Sequence, residues 1–534
     1  MAILLGFWRV LGYKSGVTNA PENLAKALEA MTHRVTELEA ELAAKSQLLN
    51  TYKAMLFGSR SEKARIVLDE QGCLDLGNLS DITSAPPAAN DDQAPHVTKR
   101  KARRNIGALP KHLPRIIELI EPDSTQCACC QGAMHKIGED VTEALDIVPA
   151  ILRVISTVRP KYACRACEGG IVQARAPRRM IEGSMVTTSF IAWVVSQRFA
   201  WYLPAYRQAQ MLAGHGLQID RSTLSRMIKN AAWWLQGLFD EQWRIIHSHN
   251  RIFVDETRVP VLDPGRGKVR TDQFWAHGID DRSWNGPAPP AVCYVHAGSR
   301  SKFEIAEQLR GYRGVLQVDG YGAYKHLAEP GREAGPIQLA FCLAHLRRRF
   351  VDLHKSTKSP LSAQFIKLFG EIYRIEAEIR GTSAEHRLAV RQDKSKPVME
   401  KLKGLCDETL PRLAAKSTLA EHIRYAHDHW HGLILFLGDG RIEVDSNMIE
   451  RQMRPIAIGR RNSLFAGNEG GARTWAVLAS LLQTAKLNGL DPFTWLNDVL
   501  TRIVSGEVKN NELGQLLAWN WKPGVPVPHM DLAA

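Results

Sequence analysis

The sequence is poor in cysteine. Nine residues in 534 are too few for a disulfide-stapled scaffold, and their number is odd. It also lacks any apolar run near the roughly 18 residues that a membrane span requires. The opening stretch Met1 to Leu11 is apolar but short. Its Arg9 follows the apolar run and no small-residue cleavage pattern comes after it, so no secretory signal is expected and no function is assigned there. Neither low complexity nor a collagen-like or disordered composition is present, with 45% hydrophobic and 23% charged residues. Acidic residues fall short of basic ones, 56 against 69, which leaves a net charge of +13. That surplus suits a polyanionic partner, nucleic acid first, or a solvated basic surface. The length suggests roughly three to four domains.

What is present begins with a heptad. Leu24, Leu28, Met31, Val35, Leu38, Leu42, Lys45, Leu49, Tyr52 and Leu56 alternate steps of four and three, with Lys45 the one polar break. Pro21 suits a first turn and Gly58 ends the pattern. The narrow stripe predicts a coiled coil, hence self-association. The alternative is an amphipathic helix packed on its own domain. Gln71 to Gln93 reads as a linker. The run Lys99-Arg100-Lys101-Ala102-Arg103-Arg104 suits contact with phosphates or a solvated tether.

Cys127 and Cys130 form one CxxC pair, Cys164 and Cys167 a second. Two such knuckles supply the four soft ligands of a closed, architectural zinc site, in keeping with a reducing cytoplasm. Cys129 and His135 are competing ligands, and unligated buried cysteine is the plain alternative. The alternation from Ala144 to Val158 predicts a strand between the knuckles.

Pro204 to Leu212 has a helical pattern broken by Gly214-His215-Gly216, and a second helix is expected from Thr223 to Leu235. This is the layout of a helix-turn-helix, though helix pairs joined by glycine are common in other helical domains. Arg221, Ser222, Thr223, Ser225, Arg226 and Lys229 offer hydroxyls and cations suited to phosphates and base edges.

Strands are expected at Arg251 to Val254, Asp272 to Gly278, Ala291 to Ala297, Gly314 to Val318 and Ile337 to Cys342, with helices at Ser301 to Leu309 and from Ala344. Asp255 ends the first strand in this reading and Asp319 the fourth. Carboxylates at strand ends can share hard divalent cations, and a pair of Mg²⁺ ions there activates an attacking oxygen on a phosphodiester. Turn or cap aspartates are the simpler reading. A third acid lies far downstream, with Glu450 and Asp445 as rivals. Asn447-x-x-Glu450 also matches a capping box. Arg451, Arg454, Arg460 and Arg461 follow as a basic cluster suited to an anionic polymer. Residues 352–440 read as a charged helical block.

In this order, the blocks resemble the large transposase of the insertion sequence 66 family over nearly the whole chain. The resemblance is carried by Leu56 to Lys63, the two CxxC pairs, Leu203 to Arg207 with Arg221 to Leu224, Asp255-Glu256-Thr257, Asp319-Gly320-Tyr321, Cys342 to Arg348, Asp445 to Asn462, Leu464 to Gly467 and Thr484 to Pro492. It departs at Asp445-Ser446-Asn447, where Asp-Asn-Asn is more usual, and at the extra thiol of Cys129.

The resemblance implies a multidomain α+β chain. Its parts are a tail at 1–20, a coiled coil at 21–57, a linker with the basic segment at 58–122 and a zinc-binding domain at 123–175. A helix-turn-helix region at 180–247 precedes an RNase H-like α/β catalytic core at 248–500 with a helical insertion at 352–440, and a tail at 501–534 closes the chain. It implies an enzyme with a DDE triad of Asp255, Asp319 and Glu450 that holds Mg²⁺ or Mn²⁺, beside Zn²⁺ on the four cysteines. The expected partners are double-stranded DNA at element ends and target, a second copy of the chain, and small accessory proteins of the same element. The expected setting is a bacterial cytoplasm at the nucleoid. A DNA-binding regulator with a vestigial core and a nuclease that cannot join strands remain as rivals. Cys342 and His345 are either a structural pair or a DNA contact.

Overall fold

The computed structural model describes residues 175–524, apart from 264, 266 and 267, together with short pieces between 152 and 173. The zipper heptads, the basic run Lys99 to Arg104, His135 and the cysteines Cys127, Cys129, Cys130, Cys164 and Cys167 lie outside the described residues. Two compact units meet in sequence at Ala176 and Pro177, and each is taken by itself.

In the first unit, β1 (Lys161–Ala163) pairs antiparallel with β2 (Ile171–Gln173), with Lys161 opposite Gln173. The expected strand through Val158 is not formed at residues 154–158. Val154 and Val158 are 91% and 83% exposed, so the alternation there buries no face and nothing holds it extended.

The second unit opens with α1 (Thr188–Phe199), capped by the Thr187 hydroxyl accepting from the Phe190 amide, then α2 (Ala205–Gly214) and α3 (Arg221–Ser248). Helix α3 runs well past the expected Leu235, because Leu238, Gln242 and Ile246 continue its buried stripe. Gly237 does not break it: the leucine side chain of Leu513 packs where a β-carbon would stand.

Five strands follow. They are β3 (Arg251–Leu262), β4 (Val269–Ile279), β5 (Ala291–Ala297), β6 (Val315–Val318) and β7 (Gln338–Phe341), with α4 (Lys302–Gln308) between β5 and β6. Their order in the sheet is β5-β4-β3-β6-β7, antiparallel from β5 to β3 and parallel from β3 to β7. Strand β3 does not stop at Asp255 as the sequence suggested. It pairs with β4 as far as Leu262 opposite Val269, since Val259 and Val261 keep the alternation going.

Helices α5 (Leu343–Thr357), α6 (Pro360–Ile379), α7 (Ala384–Val390), α8 (Lys396–Thr409) and α9 (Thr418–Leu433) form a block before α10 (Asn447–Ser463), α11 (Glu469–Leu487) and α12 (Pro492–Ser505). The Leu343 amide donates to the Val444 carbonyl at 3.0 Å, so the chain enters and leaves the block at one point. Strand alternation divides the core. Phe253, Phe274, Ala276, Val292 and Tyr294 pack with α1, α3 and α10 to α12. Ile252, Val254, Trp275, Cys293, Leu316 and Val318 pack with the helical block. Inside that block Arg391, fully buried, pairs with Glu376 at 2.7 Å and donates to the carbonyls of Phe436, Asp439 and Ile442, while Arg387 pairs with Glu443 at 2.8 Å. Among the described residues no helix is long and apolar enough to cross a membrane.

Buried His277 on β4 lies 3.1 Å from His247 and 2.8 Å from the Gln308 carboxamide. Burial pushes its pKa down to about 4, and burial with the neighbouring ring pushes His247 down to about 2. Both stay neutral in the fold, whereas an unfolded imidazole takes its proton near pH 6.5. Their contribution is therefore complete above about pH 6.5 and is lost as pH falls toward 4 for His277, by about 1.4 kcal/mol per pH unit, and toward 2 for His247. Urea unfolding at pH 7 and pH 5 is expected to show this slope, reduced in His277→Gln. Equal slopes in the two proteins would contradict it.

Candidate active site

The parallel register of β3 and β6 sets the geometry. Phe253 pairs with Gln317, so two residues further on each strand Asp255 comes beside Asp319, the residue that follows β6. The Asp319 carboxylate accepts from the Tyr321 amide at 2.9 Å, closing a turn through Gly320. Glycine is required there because the Tyr425 hydroxyl of α9 occupies the position of a β-carbon. Asp255 accepts from the Glu256 amide at 2.9 Å.

Glu450 arrives on the first turn of α10. The capping box offered as its alternative role is not formed. Ser446 is the residue before the helix, and Asn447 is already helical. Asp445 serves this turn instead, accepting from the Asn447 amide at 3.1 Å and its carboxamide at 2.8 Å. The Glu450 carboxylate faces His345 Nδ1 at 3.6 Å and Arg348 at 3.7 Å, both on α5, and accepts from the Ser446 hydroxyl at 3.4 Å.

The electrostatics join these acids. Burial raises the Asp255 carboxyl well above the ordinary carboxylate range, and repulsion from Glu256, Asp319 and Glu450 adds to it. Burial also lifts Asp445 to about 6. A half-buried set of hard oxygens of like charge suits hard divalent cations such as Mg²⁺, which reverse that repulsion. The oxygens of Asp255, Asp319 and Glu450 do not gather as tightly as Cys342, His345 and Glu450. Among the described residues these last three are the one Cys/His/acid group with ligand atoms all within 4.8 Å.

Glu256 escaped the sequence reading. Strand alternation turns it away from Asp255, and the Tyr324 hydroxyl donates to it at 2.6 Å while Arg300 pairs with it. The Arg300 guanidinium stacks 3.6 Å from the Tyr321 ring centre. Adjacency in Asp255-Glu256 was the available signal. Nothing in the sequence linked Arg300 or Arg348 to the acids, because each arrives on a different element.

The expected DNA contacts divide. Arg221, Ser222, Arg226 and Lys229 are exposed along the first turns of α3, and Thr223 is half-buried. Arg451 is exposed and Arg454 half-buried near Glu450. Arg460 and Arg461 lie at the other end of α10, about 15 Å further along at about 1.5 Å per residue. There Arg460 donates to the Arg258 carbonyl. The basic cluster is thus split along α10, with Arg451 and Arg454 near Glu450 and Arg460 and Arg461 away from it, while Arg300 pairs with Glu256 and Arg348 faces Glu450.

A family model described as the Transposase IS66 family matches residues 183–474. The zinc-finger binding domain of transposase IS66 matches residues 124–168, a range that includes all four CxxC cysteines. The IS66 C-terminal element matches 480–519, and a model described as transposase C of IS166 homeodomain matches 46–117. The uncharacterized protein y4jD of Sinorhizobium fredii is 51% identical over 509 residues, covering 94% of this chain and 98% of that protein. The uncharacterized protein y4qI of the same organism is 39% identical over 522 residues, covering 96% and 95%.

Proposed function

The chain belongs to the IS66 transposase family, and on that premise we propose that it cuts the ends of its insertion sequence and joins them to target DNA through Asp255, Asp319 and Glu450. The observation that carries this reading is electrostatic. Three half-buried acids far apart in sequence, two of them at adjacent strands and one on α10, come close enough that Asp319 and Glu450 both raise the Asp255 carboxyl. The sheet order β5-β4-β3-β6-β7, antiparallel then parallel, supports an RNase H-like core interrupted by a helical insertion at 352–440.

Asp255, Asp319 and Glu450 would hold two Mg²⁺ or Mn²⁺ ions. When bound, such a pair supplies activation of the attacking oxygen and stabilisation of the leaving one. A bound cation would favour the ionised form of the Asp255 carboxyl, which burial and its neighbours otherwise disfavour. Asp445 keeps the start of α10 in register through Asn447, and Arg348 orients Glu450. Arg300, held by Glu256 and Tyr321, offers a half-exposed guanidinium to a DNA phosphate. No Ser or Tyr nucleophile is required, since water and then the freed 3′-hydroxyl attack directly.

The exposed start of α3 with Arg221, Ser222, Thr223, Arg226 and Lys229 would read element ends, with Arg451, Arg454, Arg460 and Arg461 on backbone phosphates. Zinc on Cys127, Cys130, Cys164 and Cys167 would shape a DNA-binding domain, and the heptads at 21–57 would pair two protomers across two ends.

A duplex carrying an element end tests this. With Mg²⁺ or Mn²⁺ the full chain is expected to nick it, leaving a 3′-hydroxyl, and to give joined products from pre-cut ends. Cutting without joining would leave a nuclease. Neither product would overturn the reading.

A further inference from the structure

The donors around Glu450 are of two kinds. On one side are the hard oxygens of Asp255 and Asp319. On the other are a thiol and an imidazole. Cys342 is the last residue before α5 and is 2% exposed, and its sulfur accepts from the Ser446 amide at 3.2 Å. His345 lies on the first turn of α5 with its Nδ1 buried and without a hydrogen-bond partner. The Glu450 carboxylate is 3.6 Å away, too far for a hydrogen bond. That distance falls within the separations of ligand atoms in a tetrahedral zinc site, about 3.3–3.8 Å for bonds of about 2.0–2.3 Å.

We propose that Cys342, His345 and Glu450 form a binding site for a zinc-class divalent cation, separate from the four-cysteine zinc domain and sharing only Glu450 with the Mg²⁺ pair. The three ligand atoms already lie within 4.8 Å of one another, so an inward shift of about 1 Å at the widest pair completes the set. Sulfur and imidazole nitrogen select Zn²⁺ over Mg²⁺, which requires oxygen ligands and near-octahedral geometry. Coordination releases the thiol proton to solvent. With three protein ligands the fourth position is open to water. The cation must displace Arg348, which faces Glu450 at 3.7 Å. Occupancy takes Glu450 away from catalysis, so Zn²⁺ inhibits Mg²⁺-dependent cutting. That consequence rests on the catalytic reading above, whereas the binding itself does not.

The test is a count of zinc bound to the metal-free full chain in dialysis against buffered Zn²⁺. The wild type is expected to take up one further equivalent compared with Cys342→Ser and with His345→Ala. Cadmium loading is expected to show an additional thiolate band that Cys342→Ser lacks. Two variants with different side chains, each checked by circular dichroism, guard against a folding defect in either. Asp319→Asn is expected to retain the further equivalent. Equal uptake by wild type and both variants overturns the proposal. A chain that binds the further zinc but never cuts end DNA would sink the catalytic reading while supporting this one.

Discussion

Asp319→Asn is expected to lower Mg²⁺-dependent cutting and joining by at least about a thousandfold, about 4 kcal/mol of transition-state stabilisation, with binding of end DNA nearly unchanged. The substitution keeps the side chain's size and one oxygen to accept from the Tyr321 amide, so the turn at Gly320 survives. It removes the charge and replaces one ligand oxygen with an amide nitrogen that cannot hold a hard cation. Asp255→Asn and Glu450→Gln are expected to fall as far. Asp445→Asn is the discriminating control. That carboxylate is already engaged by Asn447, so its loss is expected to cost about tenfold or less. Strand-transfer rates on pre-cut ends, measured beside gel-shift affinities, check all four. Asp319→Asn at wild-type rate would remove Asp319 from the site.

The largest expected effect on stability lies away from the acids. Glu376→Gln is expected to destabilise the second unit by about 3–5 kcal/mol, because it leaves a fully buried guanidinium without its counter-charge. Arg391 cannot turn to water. Its remaining donors are fixed on the carbonyls of Phe436, Asp439 and Ile442, just ahead of the segment that leads to Glu450. The lost pairing is therefore also expected to loosen the approach to α10 and slow cleavage. Denaturant unfolding with a urea gradient measures the first effect and single-turnover cutting the second. A stability change below about 1 kcal/mol would show that the pair is hydrated.

Much of the sheet was legible from sequence because strands announce themselves through alternation between turn residues. Ala291 to Ala297 has the expected limits, and the other four strands contain or overlap theirs. The end of β3 was not legible. Asp255 reads as a stop signal, yet antiparallel pairing with β4 carries the chain through it, a long-range fact that local composition does not encode. Residues 154–158 failed in the opposite way, with good alternation and no partner. The choice between Asp445 and Glu450 was open on spacing alone and closed only in the resemblance. What the geometry adds is a separate task for Asp445, seen in its two bonds to Asn447. The charged block at 352–440 concealed Arg387, Arg391 and Glu376, since burial of charge depends on partners brought from distant turns. Arg460 and Arg461 looked like neighbours of Glu450 because they are close in sequence, but the length of α10 carries them away.

The Leu343 to Val444 hydrogen bond holds together the two ends of the stretch between β7 and α10, while one face of that stretch is sealed onto the sheet. Insertions and deletions in its exposed turns leave the spacing of those two ends intact, and doubling the length of a flexible loop adds only about 0.6 kcal/mol of closure entropy. Such changes are therefore expected to be tolerated at exposed turns of the block and not on the face that meets the sheet. What they must preserve is the hem, where Tyr425 meets Gly320 and Arg391 grips the returning strand of chain.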